Sequence, residues 1–290
     1  MKTKILLAAV SSFVMLHSSF AVAGTTIDAA NRYAYAANLG WLDGVADTNN
    51  GAVIGEYVCS GYLYAANVGW INLGSGSPTN GIYYQNLSAS DFGVNQDGLG
   101  NLRGYAYGAN IGWVNFENTG AAKVDLKTGN FSGYVWSANC GWISLSNSVA
   151  LVQTDSIQKG ARAPNGLPIA WLLQNFGTTN VNANADPDGD GMSNLQEYLA
   201  GTNPNDANSD LEITAFSTTP GGTTANVTWE SVPTRLYYVQ KNPDLTTTNW
   251  TDSGMGLISP SGGSMTMAGV MDTNAPIRFY RVLAVRPLIP

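Results

Sequence analysis

The sequence predicts a mainly β protein: an N-terminal domain of repeated β-hairpins, a short helical linker and a C-terminal β-sandwich. Three observations carry this expectation. A pattern of alternating aromatics around Ala-Asn-x-Gly recurs four times within residues 32–144. Two short helical patterns flank an acidic loop within residues 168–200. From Leu211 onward, short alternating runs are separated by clusters of Gly, Pro, Ser, Thr and Asn.

In chain order, an export leader comes first. Lys2 and Lys4 precede the apolar run from Ile5 to Leu16, and Ala21-Val22-Ala23 forms a small-residue cleavage pattern. A run of 12 residues is short for a bilayer span and right for a signal core. Residues 1–23 are therefore expected to be removed, leaving a mature chain that is secreted or held at the cell surface without a membrane span. Losing the leader's two lysines moves the formal charge from −7 to −9. No Lys/Arg cluster offsets that charge, which argues against nucleic acid as a partner. The leader also takes His17, the chain's one histidine. A mature chain without histidine cannot build a Ser-His-Asp or Cys-His site, or a histidine-ligated zinc. Cys59 and Cys140 remain, and in an oxidising compartment they are expected to form one disulfide, two free buried thiols being the alternative.

The domain expected over residues 24–156 is built from the repeat. Its copies are Arg32–Asp43, Gly61–Asn72, Gly104–Asn115 and Gly133–Ser144, with tryptophans at 41, 70, 113 and 142. Each reads as a hairpin: Tyr62/Tyr64, Tyr105/Tyr107 and Tyr134/Trp136 share strand faces, and Ala-Asn-x-Gly supplies the turn. The reading of the turn is that Asn tolerates, and Gly supplies, left-handed backbone. The meander must be closed or sandwiched to hide its edges. Because repeated aromatics commonly fill repeated layers, the four tryptophans are expected in the core, with a sugar-stacking face as the alternative. The pattern resembles the GYAWxxNxGWI-type repeats of bacterial exported proteins, a resemblance that implies location more than activity.

Residues 157–210 are expected to form the linker. Pro168 to Phe176, stopped by Gly177, reads as one helix, and residues 192–200, stopped by Gly201, as a second. Between them, Asp186–Glu197 matches a 12-residue calcium loop position by position. Asp186, Asp188 and Asp190 stand at positions 1, 3 and 5, and Gly191 makes the turn at 6. The Met192 carbonyl falls at 7, Asn194 at 9 and Glu197 at 12. The hard oxygen set suits calcium, an acidic solvated loop being the bland alternative. The segment resembles the bacterial thrombospondin type 3-like, dockerin-like repeat. The acids of that family's earlier half-site are missing from residues 165–171, which implies one ion. The ion is expected to stiffen the linker without holding either flanking domain folded, with helix 192–200 docking on Trp171 and Phe176.

The last domain, residues 211–290, is expected as a small β-sandwich. Val227–Glu230, Tyr237–Gln240, Asn249–Asp252 and Arg278–Val282 resemble framework segments of fibronectin type III-like modules. Trp229 and Trp250 are expected as packing residues.

Together these features predict a structural or adhesive protein with a calcium-stabilised linker, whose partners are extracellular polysaccharide or cell-surface proteins. A carbohydrate-binding protein using the repeat aromatics is the alternative. A carboxylate-based glycan-active enzyme is disfavoured, because Asp43 gives way to Asn72, Asn115 and Ser144, and Asp91, Asp97, Glu117 and Asp125 lie in no motif. No catalytic residue is assigned. Asn86, Asn130, Asn226 and Asn249 begin N-x-S/T triplets, which matter only where glycosylation machinery exists.

Overall fold

A computed structural model describes residues 24–47, 49–219, 224–260, 263–270 and 279–289. The leader, His17 and Arg278 lie outside the described residues. The chain divides into two compact units. Among the described residues one runs to Val181 and includes Leu288 and Ile289, and the other is Asn182–Pro287.

The first unit is an eight-stranded antiparallel barrel with extra strands. Each repeat supplies two consecutive strands: β1 (Ile27–Ala36) and β2 (Gly40–Asp43), β3 (Cys59–Ala65) and β4 (Gly69–Ser75), β5 (Leu102–Gly108) and β6 (Gly112–Asn115), β7 (Tyr134–Ser137) and β8 (Gly141–Ser144). Neighbouring strands pair in order, and β8 returns to β1 through Tyr35↔Ser144 and Ala36↔Ile143, so the sheet has no open edge there. Residues at alternate positions point inward. Ala34 faces Leu42, Leu63 faces Ile71, Ala106 faces Val114 and Val135 faces Ile143 across the four strand pairs. Of these, all but Leu63 are at most 3% exposed. Leu288 and Ile289 pack against this core, and the Ile157 amide donates to the Leu288 carbonyl at 2.6 Å.

The four turns share one end of the barrel and are joined in a ring. Asn67 Nδ2 donates to the Leu39 carbonyl at 3.0 Å, and Asn110 Nδ2 to the Val68 carbonyl at 3.0 Å. Asn139 Nδ2 donates to the Ile111 carbonyl at 3.1 Å, and Asn38 Nδ2 to the Cys140 carbonyl at 3.1 Å. Every turn asparagine thus reaches the preceding turn, and the last bond closes the circle. Left-handed backbone falls on Gly40, Gly69, Gly112 and Gly141, with φ between 71° and 80°, and not on the asparagines. The asparagine is there for its amide, a correction to the turn chemistry expected from sequence.

Two further expectations are overturned. Trp41, Trp70, Trp113 and Trp142 are 45–50% exposed and point outward. The interior of an eight-stranded barrel is just wide enough for aliphatic side chains, and the inward positions are taken by Ala, Leu, Ile and Val. Period-two alternation then sends each tryptophan outside. The Cys59–Cys140 disulfide is absent: both thiols are free and buried. Cys140 sits in the ring of turns, whereas Cys59 begins β3 at the other end of its seven residues, about 20 Å away along the strand. A disulfide needs Cα atoms about 4–7 Å apart.

In the second unit, β9 (Ile213–Thr218), β10 (Thr224–Ser231) and β13 (Gly263–Val270) form one three-stranded sheet in the order β9-β10-β13. The other is β12 (Thr251–Asp252), β11 (Leu236–Asn242) and β14 (Phe279–Val285), with β11 central. Ala225, Val227 and Trp229 of β10 share one buried cluster with Tyr237 and Val239 of β11 and Tyr280 and Val282 of β14. Trp229 is fully buried, its ring 5.8 Å from that of Tyr237.

Two outcomes follow for the barrel. Denatured without reductant, the protein should release two titratable thiols per chain, while the folded protein shows none. Burial pushes the Cys59 thiol up to about 12, which keeps it unreactive; absence of free thiol on denaturation contradicts the topology. Replacing Asn67 by Ala should cost about 1 kcal/mol in chemical denaturation. Asn67→Asp should cost more, because a carboxylate cannot donate to the Leu39 carbonyl and repels it.

Candidate functional site

The acidic loop precedes α2 (Asn194–Ala200), and local chemistry sets its shape. Ser193 caps the helix: its hydroxyl accepts from Gln196 N, and the Gln196 side chain accepts from Ser193 N at 2.7 Å, a reciprocal capping box. Upstream, the loop folds around its own carboxylates. Asp186 accepts from Gly189 N at 2.8 Å and Gly191 N at 2.9 Å, and Asp190 accepts from Met192 N at 2.6 Å. Gly189 and Gly191 take φ of 80° and 100°, which only glycine adopts freely.

Asp186 thus accepts through both of its oxygens, whereas Asp188 and Asp190 accept through Oδ1 alone and keep Oδ2 without a partner. One ligand atom each from Asp186, Asp188 and Asp190 lies within 4.8 Å of the others, a cluster that could hold a metal ion. Asn194 donates its amide to the Asn182 carbonyl at 2.9 Å, which turns its Oδ1 the other way. Glu197 is fully buried. Asp188 Oδ2, Asp190 Oδ2, Asn194 Oδ1 and both Glu197 carboxylate oxygens are buried without a hydrogen-bond partner. Buried polar atoms are almost always paired, so five such oxygens in one loop are exceptional. Burial, then the charges of Asp188 and Asp190, push the Glu197 carboxyl up to about 8. Burial and the neighbouring Asp188 and Asp186 likewise raise Asp190, against the pull of the Met192 amide. All of these groups are hard oxygen donors, so what they can bind is a hard divalent cation.

Met192 plays a part that the motif does not state. Its side chain is buried in the core of the second unit, and its sulfur accepts from Leu211 N at 3.2 Å. Ala200, at the other end of α2, joins the same core. Arg235 fastens the helix's C-terminus, donating to the Leu199 carbonyl at 2.8 Å and the Tyr198 carbonyl at 3.0 Å. It comes so close that a Cβ on Gly201 would stand 2.9 Å from its guanidinium. The Arg286 guanidinium lies 4.5 Å from the centre of the Tyr198 ring. Sequence reading docks α2 on Trp171 and Phe176. Those rings meet each other edge-on at 5.7 Å in α1 (Ile169–Phe176), and α2 shares the buried core of the C-terminal unit. No local signal marks Arg235, because the carbonyls it caps lie 36 and 37 residues away.

The remaining acids serve the backbone. Asp91 accepts from Thr79 N and Gln85 N, both at 3.1 Å, and these bonds lower its pKa. Glu117 accepts from Gly104 N at 2.8 Å, Asp97 from Leu99 N at 2.8 Å and Asp125 from Lys127 N at 2.9 Å.

A second feature lies on the barrel wall. Trp41 meets Tyr33 and Tyr35 edge-on at 5.9 and 5.2 Å, and Trp70 meets Tyr62 and Tyr64 at 6.1 and 4.9 Å. Trp113 repeats this with Tyr105 and Tyr107 at 6.2 and 4.9 Å, and Trp142 packs on Tyr134 at 6.3 Å. Between neighbouring sets the register places Asp43 opposite Tyr64, Asn72 opposite Tyr107, Asn115 opposite Trp136 and Ser144 opposite Tyr35. The aromatics therefore form a closed belt around the barrel, interrupted by single polar side chains. Among the described residues, no helix is long and apolar enough to cross a membrane.

No protein-family model, no curated protein and no solved structure matches this chain.

Proposed function

We propose that this is an exported, non-catalytic protein of the cell surface or medium, with one calcium ion in the loop Asp186–Glu197 and a barrel that serves as the adhesive face. One observation carries the calcium reading: Glu197 is fully buried with neither carboxylate oxygen partnered. Leaving a carboxylate in that state costs several kcal/mol unless it is neutralised. Asp186, Asp188, Asp190, Asn194 and Glu197 supply the side-chain oxygens of a seven-coordinate calcium loop, and Met192 occupies its carbonyl position. The two three-stranded sheets with one shared core support reading the C-terminal unit as a fibronectin type III-like β-sandwich. The ion's structural role falls on that unit, because Met192 and Ala200 at the two ends of the helical turn belong to its core. Export rests on the leader pattern at residues 1–23.

Titration calorimetry of the mature chain should find one calcium site with Kd of about 10⁻⁴–10⁻³ M or somewhat tighter. Glu197→Gln should bind at least about tenfold more weakly. In calorimetric unfolding, calcium at a hundredfold excess over Kd should stabilise the C-terminal transition by about 2.7 kcal/mol and leave the barrel's unchanged. An unchanged C-terminal transition, or equal affinity in the variant, rejects this role.

Proton competition gives a second test. A folded-state carboxyl pKa raised to about 8 means that the calcium-free unit binds the proton more tightly folded than unfolded. Its contribution is fully present below the unfolded Glu value of about 4.3 and is lost as pH rises through about 8. The chelated C-terminal unit should therefore melt lower at pH 8.5 than at pH 5.5. Calcium affinity should move the other way, falling as pH drops from 8.5 to 6, and Glu197→Gln should flatten both trends.

A further inference from the structure

We propose that the aromatic belt of the barrel docks an uncharged polysaccharide chain. The proposal rests on the adhesive reading of the barrel and is independent of the calcium loop.

The surface is preformed. Each tryptophan is held by tyrosine rings across its strand pair, yet Trp41, Trp70, Trp113 and Trp142 keep 45–50% of their surface in solvent. Aromatic side chains locked by their neighbours lose little entropy on binding and present apolar area to the C–H faces of sugar rings. Their repetition is regular. Successive tryptophans lie two strands apart, roughly 10 Å along the sheet, a step comparable to a disaccharide of an extended chain.

Charge selects among occupants. At the belt Asp43 and Arg32 are ionised and neutralise each other as an ion pair, Arg32 lying over the Tyr33 ring. The other three positions equivalent to Asp43 carry Asn72, Asn115 and Ser144. A ligand recognised through charge meets one neutralised pair. A second copy of this chain would bring its own net negative charge against the same surface.

The hydrogen-bonding groups fit a hydroxyl-rich polymer. Asn72 and Asn115 use their carbonyl oxygens on Gly74 N and Glu117 N, at 2.8 and 2.6 Å. Their amide groups have no partner among the described residues and stand beside the tyrosine rings. The hydroxyls of Tyr35, Tyr62, Tyr64, Tyr105, Tyr107 and Tyr134 are likewise unpaired within the described chain. Sugar hydroxyls both donate and accept, and can meet an amide donor and phenol edges at once. An apolar protein helix would leave those groups unsatisfied, at a cost for each one buried.

Native affinity electrophoresis of the whole mature chain tests the idea, using gels that contain a β-glucan, a xylan, a mannan or anionic alginate. At least one neutral polymer should retard the protein, and alginate should not. Trp70→Ala should weaken the retarding interaction about tenfold, and Trp41→Ala with Trp70→Ala about a hundredfold, as expected for hot-spot aromatics. Trp70→Phe should retain most of it. Asn72→Leu should weaken it with the rings intact, a loss that a purely structural role for Asn72 would not produce in a variant that melts normally. Calcium titration of the same variants should be unchanged, so a failure here stays separate from a failure of the calcium site. The proposal is overturned if no neutral polymer retards the chain, or if retardation survives loss of the tryptophans. It is also overturned if sedimentation shows concentration-dependent self-association that the same variants abolish, for then a second copy is the occupant.

Discussion

The barrel depends on a ring of four side-chain hydrogen bonds that ties each turn to the one before it. Backbone pairing runs through all eight strands and closes between β8 and β1, and the ring adds a second set of bonds across the same seams. The ring applies the same donor and acceptor at every seam, including the one where Asn38 meets Cys140 across 102 residues. It also explains the turn motif residue by residue. The asparagine carries the only neutral side chain at this length with an amide donor, and the following residue lends its carbonyl. That residue's own side chain (Leu39, Val68, Ile111 or Cys140) packs with the barrel core as an apolar plug. The glycine takes the positive φ; a Cβ there would stand 3.8–4.0 Å from the neighbouring amide, an ordinary contact, so backbone conformation and not space calls for glycine.

Closure, once imposed, decides which face of each strand is inside. An eight-stranded barrel has room for one layer of Ala, Val, Leu and Ile at each level, and those residues occupy the positions between the aromatics. The tryptophans could not be exchanged for them without breaking the wall. The repeat, its strand positions and its turns were legible from sequence, because each is a local pattern of about a dozen residues. Which face is buried was not. Both faces carry hydrophobic residues, and period two alone does not say which set is inward. The deciding information is the pairing of β8 with β1, a contact between residues more than 100 positions apart. The same non-locality defeated the disulfide: two cysteines in one repeat domain look close until the turns are all placed at one end.

The loop shows the opposite balance. Its acids, glycines and capping box lie within 12 consecutive residues, so the clustering of Asp186, Asp188 and Asp190 ahead of α2 was readable from sequence. What was not readable is its allegiance. Asn-rich residues 180–185 look like a free tether, yet the amides of Asn194 and Leu195 bond back to the carbonyls of Ala185 and Ala183 at 2.9 Å. Met192 and Arg235 then commit α2 to the C-terminal core through contacts 19 and 36 residues away. A segment that reads as a linker in composition is, by packing, the first element of the next unit.

The two units satisfy their buried polar groups by different means. In the barrel the polar groups that matter find partners within the chain: turn amides on carbonyls, Asp91 and Glu117 on backbone amides, Glu56 on Arg162 at 3.1 Å. In the acidic loop the chain leaves five oxygens without partners, and Asp186, Asp188 and Asp190 bring one ligand atom each within 4.8 Å of the others. That arrangement is unfavourable by itself and becomes favourable only with a dication present.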